Sequence, residues 1–223
     1  MIPWVHLDTA QIPQGGALKL MRRGDEYSIM SGPIELMNSR ISGSEVALAR
    51  LTCAPLAAVP AARVLIGGLG MGFTLRAALA ELGVDASITV AELVPAVISW
   101  GMGPMAHIFD GCLGDPRVDL REGDVADVIG AATASYDAIL LDVDNGPGGL
   151  NREINDGLYS TMGLGRAYRA LQPGGVLAIW SAGPSSEFSL KLRQSGYAVD
   201  EQRVRARASG GGARHVIWLA TKP

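Results

Sequence analysis

The chain has 223 residues, 48% of them hydrophobic and 18% charged, which is enough apolar side chain to bury the core of one domain, or of a domain with a small appendage. A formal net charge of −3 argues against an electrostatic grip on nucleic acid. No apolar run reaches the length of a membrane span, the N-terminus lacks a basic stretch followed by an apolar one, and Cys53 and Cys112 lack metal-ligand spacing, so no membrane partner, no bound metal and a cytoplasmic setting are expected.

Residues 1–42 are predicted to form a small β-meander. Short candidate strands (Trp4–Leu7, Ala17–Met21, Tyr27–Met30 and Ile34–Met37) are separated by Gly15-Gly16, Gly24-Asp25 and Gly32-Pro33. Residues 43–60 read as a connecting helix and linker. Ser44 is the expected N-cap, with Glu45 in the first turn and Pro55 and Pro60 in the linker. From 61 to 223 strands and helices alternate. Strands are predicted at 63–66, 88–92, 117–121, 137–142, 175–180, 198–204 and 214–220, and helices near 73–82, 95–108, 125–130, 160–171 and 186–195. Such alternation predicts an α/β fold, a doubly wound, seven-stranded and mostly parallel sheet covered on both faces. Ser209-Gly210-Gly211-Gly212 joins the last two strands with no helix between, so that pair is expected to be an antiparallel hairpin.

The chain is organised around Val64-Leu65-Ile66-Gly67-Gly68-Leu69-Gly70-Met71-Gly72, an apolar run and a glycine turn ahead of the helical spacing of Leu75, Ala78, Leu79 and Leu82. Strand, glycine turn and helix together present backbone N–H groups to a ligand. Glu92 follows Gly72 by 20 residues, at the end of the next apolar run, where an acid can accept hydrogen bonds from ribose hydroxyls. Ligands of open α/β sheets bind beyond the carboxyl ends of the strands. Those ends carry Gly68–Gly72, Glu92, Gly123-Asp124 and Asp142-Val143-Asp144-Asn145. So many acids on one rim repel one another unless something cationic sits among them. A sulfonium nucleoside or an amine suits this rim better than a phosphate-bearing dinucleotide.

Bland roles stand beside these. Asp124 also suits an N-cap for the 125–130 helix, Asp142 a bond that organises its loop, and Asp144 a turn before Gly146-Pro147. His6, His107 and His215 share no motif and read as structural. Trp180 suits either the core or a pocket wall, and Arg203, Arg205 and Arg207 read as a solvated strand face. Trp100 to Met105 interrupts the second helix and is a candidate pocket wall.

Several segments, in order, resemble the spermidine synthase (polyamine aminopropyltransferase) family. They are Ile66 to Arg76 with its Thr-Leu-Arg tail, Val90 to Pro95, Asp115 to Val118 with Glu122-Gly123-Asp124, Tyr136 to Asp142, Leu158-Tyr159-Ser160, and Leu171 to Val176. The resemblance implies a class I methyltransferase fold, an enzyme transferring an aminopropyl group from decarboxylated S-adenosylmethionine to a small amine, no permanently bound cofactor and a homodimer. It places the nucleoside on Gly68, Gly70, Met71, Gly72, Glu92, Leu93, Asp124 and Val125, the catalytic base on Asp142, and the acceptor beside Asp144 and Asn145. The chain departs from the pattern where the family's amine-binding Asp is replaced by Met71, where Val94 follows the ribose acid, and where the acceptor Tyr near Ser44-Glu45 is missing. Two alternatives therefore stay open: a methyltransferase using ordinary S-adenosylmethionine, in which uncharged Met71 admits the donor's carboxylate, and a non-catalytic nucleoside-binding protein.

Overall fold

The computed structural model describes residues 2–13, 15–143, 146, 157–207 and 212–223. The N-terminal strands β1 (Val5–Gln11), β2 (Ala17–Arg23), β3 (Glu26–Ser31) and β4 (Ile34–Asn38) form an antiparallel meander in the order β1-β2-β3-β4. Alternation sets its inner face, since Leu18 and Leu20 are buried while Lys19 between them is exposed. Polar and aromatic contacts tie the meander to the rest of the chain. Trp100 Nε1 donates to Asp8 at 2.7 Å, and the His107 ring lies 5.4 Å from that of Tyr27.

Helix α1 (Gly43–Cys53) follows, then a single 3-10 turn (Ala54–Leu56). The helix starts one residue before the expected cap. Ser42 occupies the N-cap position without a side-chain bond, and Gly43 N–H donates to Ala206 O at 2.8 Å, docking the start of α1 against the far end of the chain. Ser44 is thereby turned inward and fully buried.

The remaining elements are β5 (Arg63–Gly67), α2 (Phe73–Glu81), β6 (Ser87–Glu92), α3 (Pro95–Met102), α4 (Ala106–Phe109), β7 (Val118–Glu122), α5 (Val125–Ala131), β8 (Tyr136–Leu141), α6 (Thr161–Ala170), β9 (Leu171–Ser181), α7 (Ser186–Gln194), β10 (Ala198–Arg205) and β11 (Arg214–Thr221). They build one seven-stranded sheet in the order β10-β11-β9-β8-β5-β6-β7. Strands β5 to β9 pair in parallel, while β11 runs antiparallel to both β9 and β10. Each central strand divides its residues between two cores. Val64, Ile66, Ala138 and Leu140 enter one, and Leu65, Ile139 and Leu141 the other. That is why these strands read as unbroken apolar runs.

The strand order reverses between β5 and β8, so the chain leaves two adjacent strand ends in opposite directions and opens a crevice there. The helix expected over 95–108 is two pieces, because Pro104 lacks an N–H and its ring clashes with the preceding turn. Strand β9 starts earlier than expected, at Leu171, through a register irregularity between Tyr136 and Ala138 on its neighbour. Among the described residues no helix is long and apolar enough to cross a membrane.

Candidate functional site

A cavity of about 440 Å³ lies at the carboxyl ends of β5, β6 and β8, walled on its other side by β4 and α1. Its glycine-turn wall is held together by backbone bonds. Gly68 N–H donates to Ala91 O at 2.9 Å, and Asp142 N–H donates to Gly67 O at 3.0 Å, which closes β5 against both neighbours. Gly68 has φ +87°, and a Cβ there would lie 2.6 Å from Asp142 O, so conformation and space both demand glycine. Gly68 and Gly70 line the cavity, as do Leu93, Asp124 and Val125.

Glu92, 7% exposed, anchors this wall. One of its carboxylate oxygens accepts Leu69 N–H at 2.9 Å and the other accepts Val94 N–H at 2.8 Å. The acid therefore holds the glycine turn in shape as well as lining the cavity. Asp124 Oδ1 accepts Ala126 N–H at 2.8 Å and N-caps α5, so its local role and its place on the cavity wall coexist.

Met71 and Gly72 fall elsewhere. The Met71 side chain is fully buried in the core and does not line the cavity, although its N–H approaches Met37 Sδ at 3.1 Å. The reason is the turn itself: its short spacing points alternate residues at the cavity and behind it. Gly72 is the left-handed residue that starts α2, and a Cβ there would lie 2.6 Å from the Phe109 ring. Trp100 to Met105 also lies away from the cavity, with Trp100 and Met105 buried in the core. Asp144 and Asn145 lie outside the described residues.

The opposite wall assembles from distant parts of the chain. Asp142, just beyond β8, lines the cavity, and its Oδ2 accepts the Thr74 hydroxyl at 2.6 Å. Burial pushes its carboxyl up to about 7. Glu45 adds like-charge repulsion, and the Thr74 bond opposes both. Glu45, in the first turn of α1, also lines the cavity, and burial raises its pKa against the bond that it accepts from Ser44 at 2.8 Å. His215 of β11 completes this side. Its Nδ1 lies 2.9 Å from Ser44 Oγ, its ring packs edge-on against Trp180 at 4.8 Å, and burial lowers its pKa.

Sequence reasoning set His215 aside and gave Glu45 only a helix-dipole role, because their partners are remote: Ser44 and His215 are 171 residues apart. The usable signal was strand alternation, which puts His215 on the face opposite Val216. Trp180 does line the cavity, whereas Arg203, Arg205 and Arg207 are exposed. Glu35, Glu45, Glu92, Asp124 and Asp142 all line the cavity, and no Lys or Arg does among the described residues. Glu35 is partly neutralised at the rim by Arg40 at 3.6 Å. Among the described residues, no group of three or more His, Cys, Asp or Glu side chains is arranged to hold a metal ion.

Sheet order, glycine turn and acidic strand end define a class I methyltransferase-like α/β fold, carrying here a separate antiparallel N-terminal sheet. Within that class the chain is similar to polyamine aminopropyltransferases and, in fold, to spermidine synthases. It is 31% identical over 156 residues to a polyamine aminopropyltransferase of Mycobacterium tuberculosis, covering 66% of this chain and 29% of that relative. It is 28% identical over 165 residues to polyamine aminopropyltransferase 1 of Streptomyces coelicolor, covering 70% of this chain and 30% of that one. The chain thus spans less than a third of the length of the curated relatives it matches. Spermidine synthase from Thermotoga maritima superposes with a TM-score of 0.72 at 18% identity, over 98% of this chain and 72% of that one. A spermidine synthase solved with the transition state analogue AdoDATO superposes equally well, with a TM-score of 0.72. No protein-family model matches the sequence.

Proposed function

We infer that the protein is an aminopropyltransferase-like enzyme that moves an alkyl group from a sulfonium nucleoside, of the decarboxylated S-adenosylmethionine type, to a small amine. The observation that carries this reading is the charge of the cavity. Among the described residues five carboxylates line it and no Lys or Arg does, beside a glycine turn braced by Glu92. A sulfonium donor and an ammonium acceptor are both cations, and opposite charges about 4 Å apart attract by roughly 4 kcal/mol at an effective dielectric of 20. The names of the relatives point the same way.

In this reading Glu92 meets the ribose hydroxyls and Asp124 the adenine edge. Asp142 receives the amine, orients it towards the carbon next to the sulfonium and takes a proton from it as the carbon–nitrogen bond forms. A carboxyl with a pKa of about 7 is balanced between ionised and protonated forms at neutral pH, which suits a group that must both accept and release a proton.

One observation favours a second reading, methyl transfer from ordinary S-adenosylmethionine. Met71 stands where the family resemblance calls for an Asp, and its side chain is buried behind the turn, so no carboxylate at that position repels the donor's own. Incubating the protein with each donor and a panel of amines separates the readings by mass spectrometry. Methylthioadenosine as product supports aminopropyl transfer, S-adenosylhomocysteine supports methyl transfer, and neither product with any amine sinks both.

A further inference from the structure

The connection His215–Ser44–Glu45 is not used by either reading. Ser44 is a fully buried hydroxyl between an imidazole and a carboxylate, all three drawn together from β11 and the first turn of α1. While Glu45 is ionised it can only accept, so the single Ser44 hydroxyl proton goes to it and Ser44 Oγ can engage His215 Nδ1 only as an acceptor. An ionised Glu45 therefore selects one tautomer. Nδ1 carries the ring proton, and Nε2 presents a lone pair on a ring that lines the cavity. Trp180 packs edge-on against the ring and limits its rotation.

We propose that His215 is a proton acceptor of this cavity, and that Ser44 and Glu45 are positioning residues that set its tautomer and stabilise its charged form. The proposal rests on the alkyl-transfer reading and divides the proton chemistry of that reading between two groups. The acceptor amine arrives as an ammonium and has no lone pair for attack. It gives one proton to His215 Nε2, forming an imidazolium whose Nδ1–H remains bonded through Ser44 to the Glu45 carboxylate. The nitrogen lone pair then forms the new bond to carbon, and the carbon–sulfur pair stays on sulfur, which leaves as a neutral thioether. The alkylated nitrogen passes its second proton to Asp142. Net charge is conserved: the sulfonium and the ammonium lose their positive charges, the imidazole gains one, and the carboxylate loses its negative charge.

The groups facing His215 are consistent with this role. Glu45 bonds to it through Ser44, Asp142, Glu92, Asp124 and Glu35 share its cavity, and no Lys or Arg lines that cavity among the described residues to oppose an imidazolium. Burial favours the neutral ring, the form that can take a proton from an ammonium.

The test uses the whole chain with whichever donor it turns over. His215→Gln should lower kcat/KM by about 10²-fold and remove one of the two ionisations that shape the acid limb, leaving the one set by Asp142, while methylthioadenosine binds within threefold of wild type. His215→Ala should regain at least tenfold of its lost rate in added imidazole, a recovery that a merely structural histidine would not show. Ser44→Ala and Glu45→Gln should each shift the His215 ionisation rather than remove it. Turnover of His215→Gln within threefold of wild type, with an unchanged profile, overturns the proposal. If the wild type turns over neither donor, the alkyl-transfer reading fails on its own, and nitrogen NMR of the histidines decides the relay separately. A neutral ring protonated on Nδ1 that takes up a proton when an amine joins bound methylthioadenosine supports it. A ring protonated on Nε2, or one that ignores the amine, overturns it.

Discussion

The two walls of the cavity are built on opposite principles. On the glycine-turn wall, Glu92 is buried but gripped by Leu69 and Val94 N–H groups, and Asp124 caps its own helix. These acids are held by backbone N–H groups, which fix their shape. On the opposite wall, Glu45 and Asp142 come from different elements, face each other's charge, and are both pushed towards protonation by burial. The Thr74 hydroxyl meets Asp142, and the Ser44 hydroxyl meets Glu45, which also takes bonds from the backbone of Ser44 and Glu45. In the function proposed above, the contrast separates two tasks. An acid saturated by backbone donors recognises a neutral, fixed group such as a ribose. An acid kept short of charge compensation binds cations and exchanges protons.

The largest effect expected from disturbing this contrast is at Met71. Met71→Asp puts a carboxylate into the core behind the turn, where it meets neither a cation nor the cavity, and should cost about 3–5 kcal/mol of stability. Urea denaturation measures it. A stable Met71→Asp protein with a new preference for the decarboxylated donor would mean that position 71 does reach the ligand.

Next comes Glu92→Ala, which leaves the Leu69 and Val94 N–H groups without their acceptor, at about 1–3 kcal/mol each. It should lower the melting temperature and also abolish the stabilisation conferred by methylthioadenosine. A protein that keeps its ligand-induced melting shift breaks the assignment of this wall to the nucleoside. Glu92 is not the dispensable, exposed strand end that its position suggests, so Glu92→Gln, which keeps one acceptor oxygen, is the gentler variant.

Asp142→Asn should act on the other wall alone. Turnover should fall by about 10²-fold, equivalent to about 2.7 kcal/mol, with nucleoside binding changed only a few-fold. Its stability should respond to pH in a defined direction. The folded pKa, about 7, stands above the ordinary 3.8, so the folded protein holds this proton more tightly than the unfolded chain. The resulting stabilisation is complete below about pH 4 and is lost as pH rises to about 7. Because the carboxyl retains some opening to the cavity, the expected loss is about 1–2 kcal/mol. Asn does not ionise, so melting curves should show the variant gaining on wild type between acid and mildly alkaline pH. Parallel curves for the two proteins would remove the raised pKa from the account.

The smallest effect belongs to Thr74→Val, which removes the one bond holding the Asp142 carboxylate in its charged form, worth about 0.5–1.5 kcal/mol. The acid limb of the rate profile should move to higher pH. A shift to lower pH would show that Thr74 serves the protonated form.

Much of this was legible in the sequence because it depends on neighbours in the chain. The apolar runs at Val64–Ile66 and Ile139–Leu141 have the strand period of a sheet buried on both faces, the glycine turn has its spacing, and Glu92 and Asp142 sit at strand ends that any parallel sheet places on one rim. Even the antiparallel β10–β11 hairpin follows from a connection too short for a crossover. What the tertiary structure alone decided is which side chains face the cavity and what charge they carry there. A helix start displaced from Ser44 to Ser42 turns Ser44 inward, and the docking of Gly43 on Ala206 brings that hydroxyl to His215. Likewise, one residue in the glycine turn decides whether a side chain meets a ligand or, as with Met71, the core. Local periodicity determines which atoms lie on a surface. The pKa values and proton paths of that surface depend on contacts between residues far apart in the chain, and they exist only once folding has excluded water from between them.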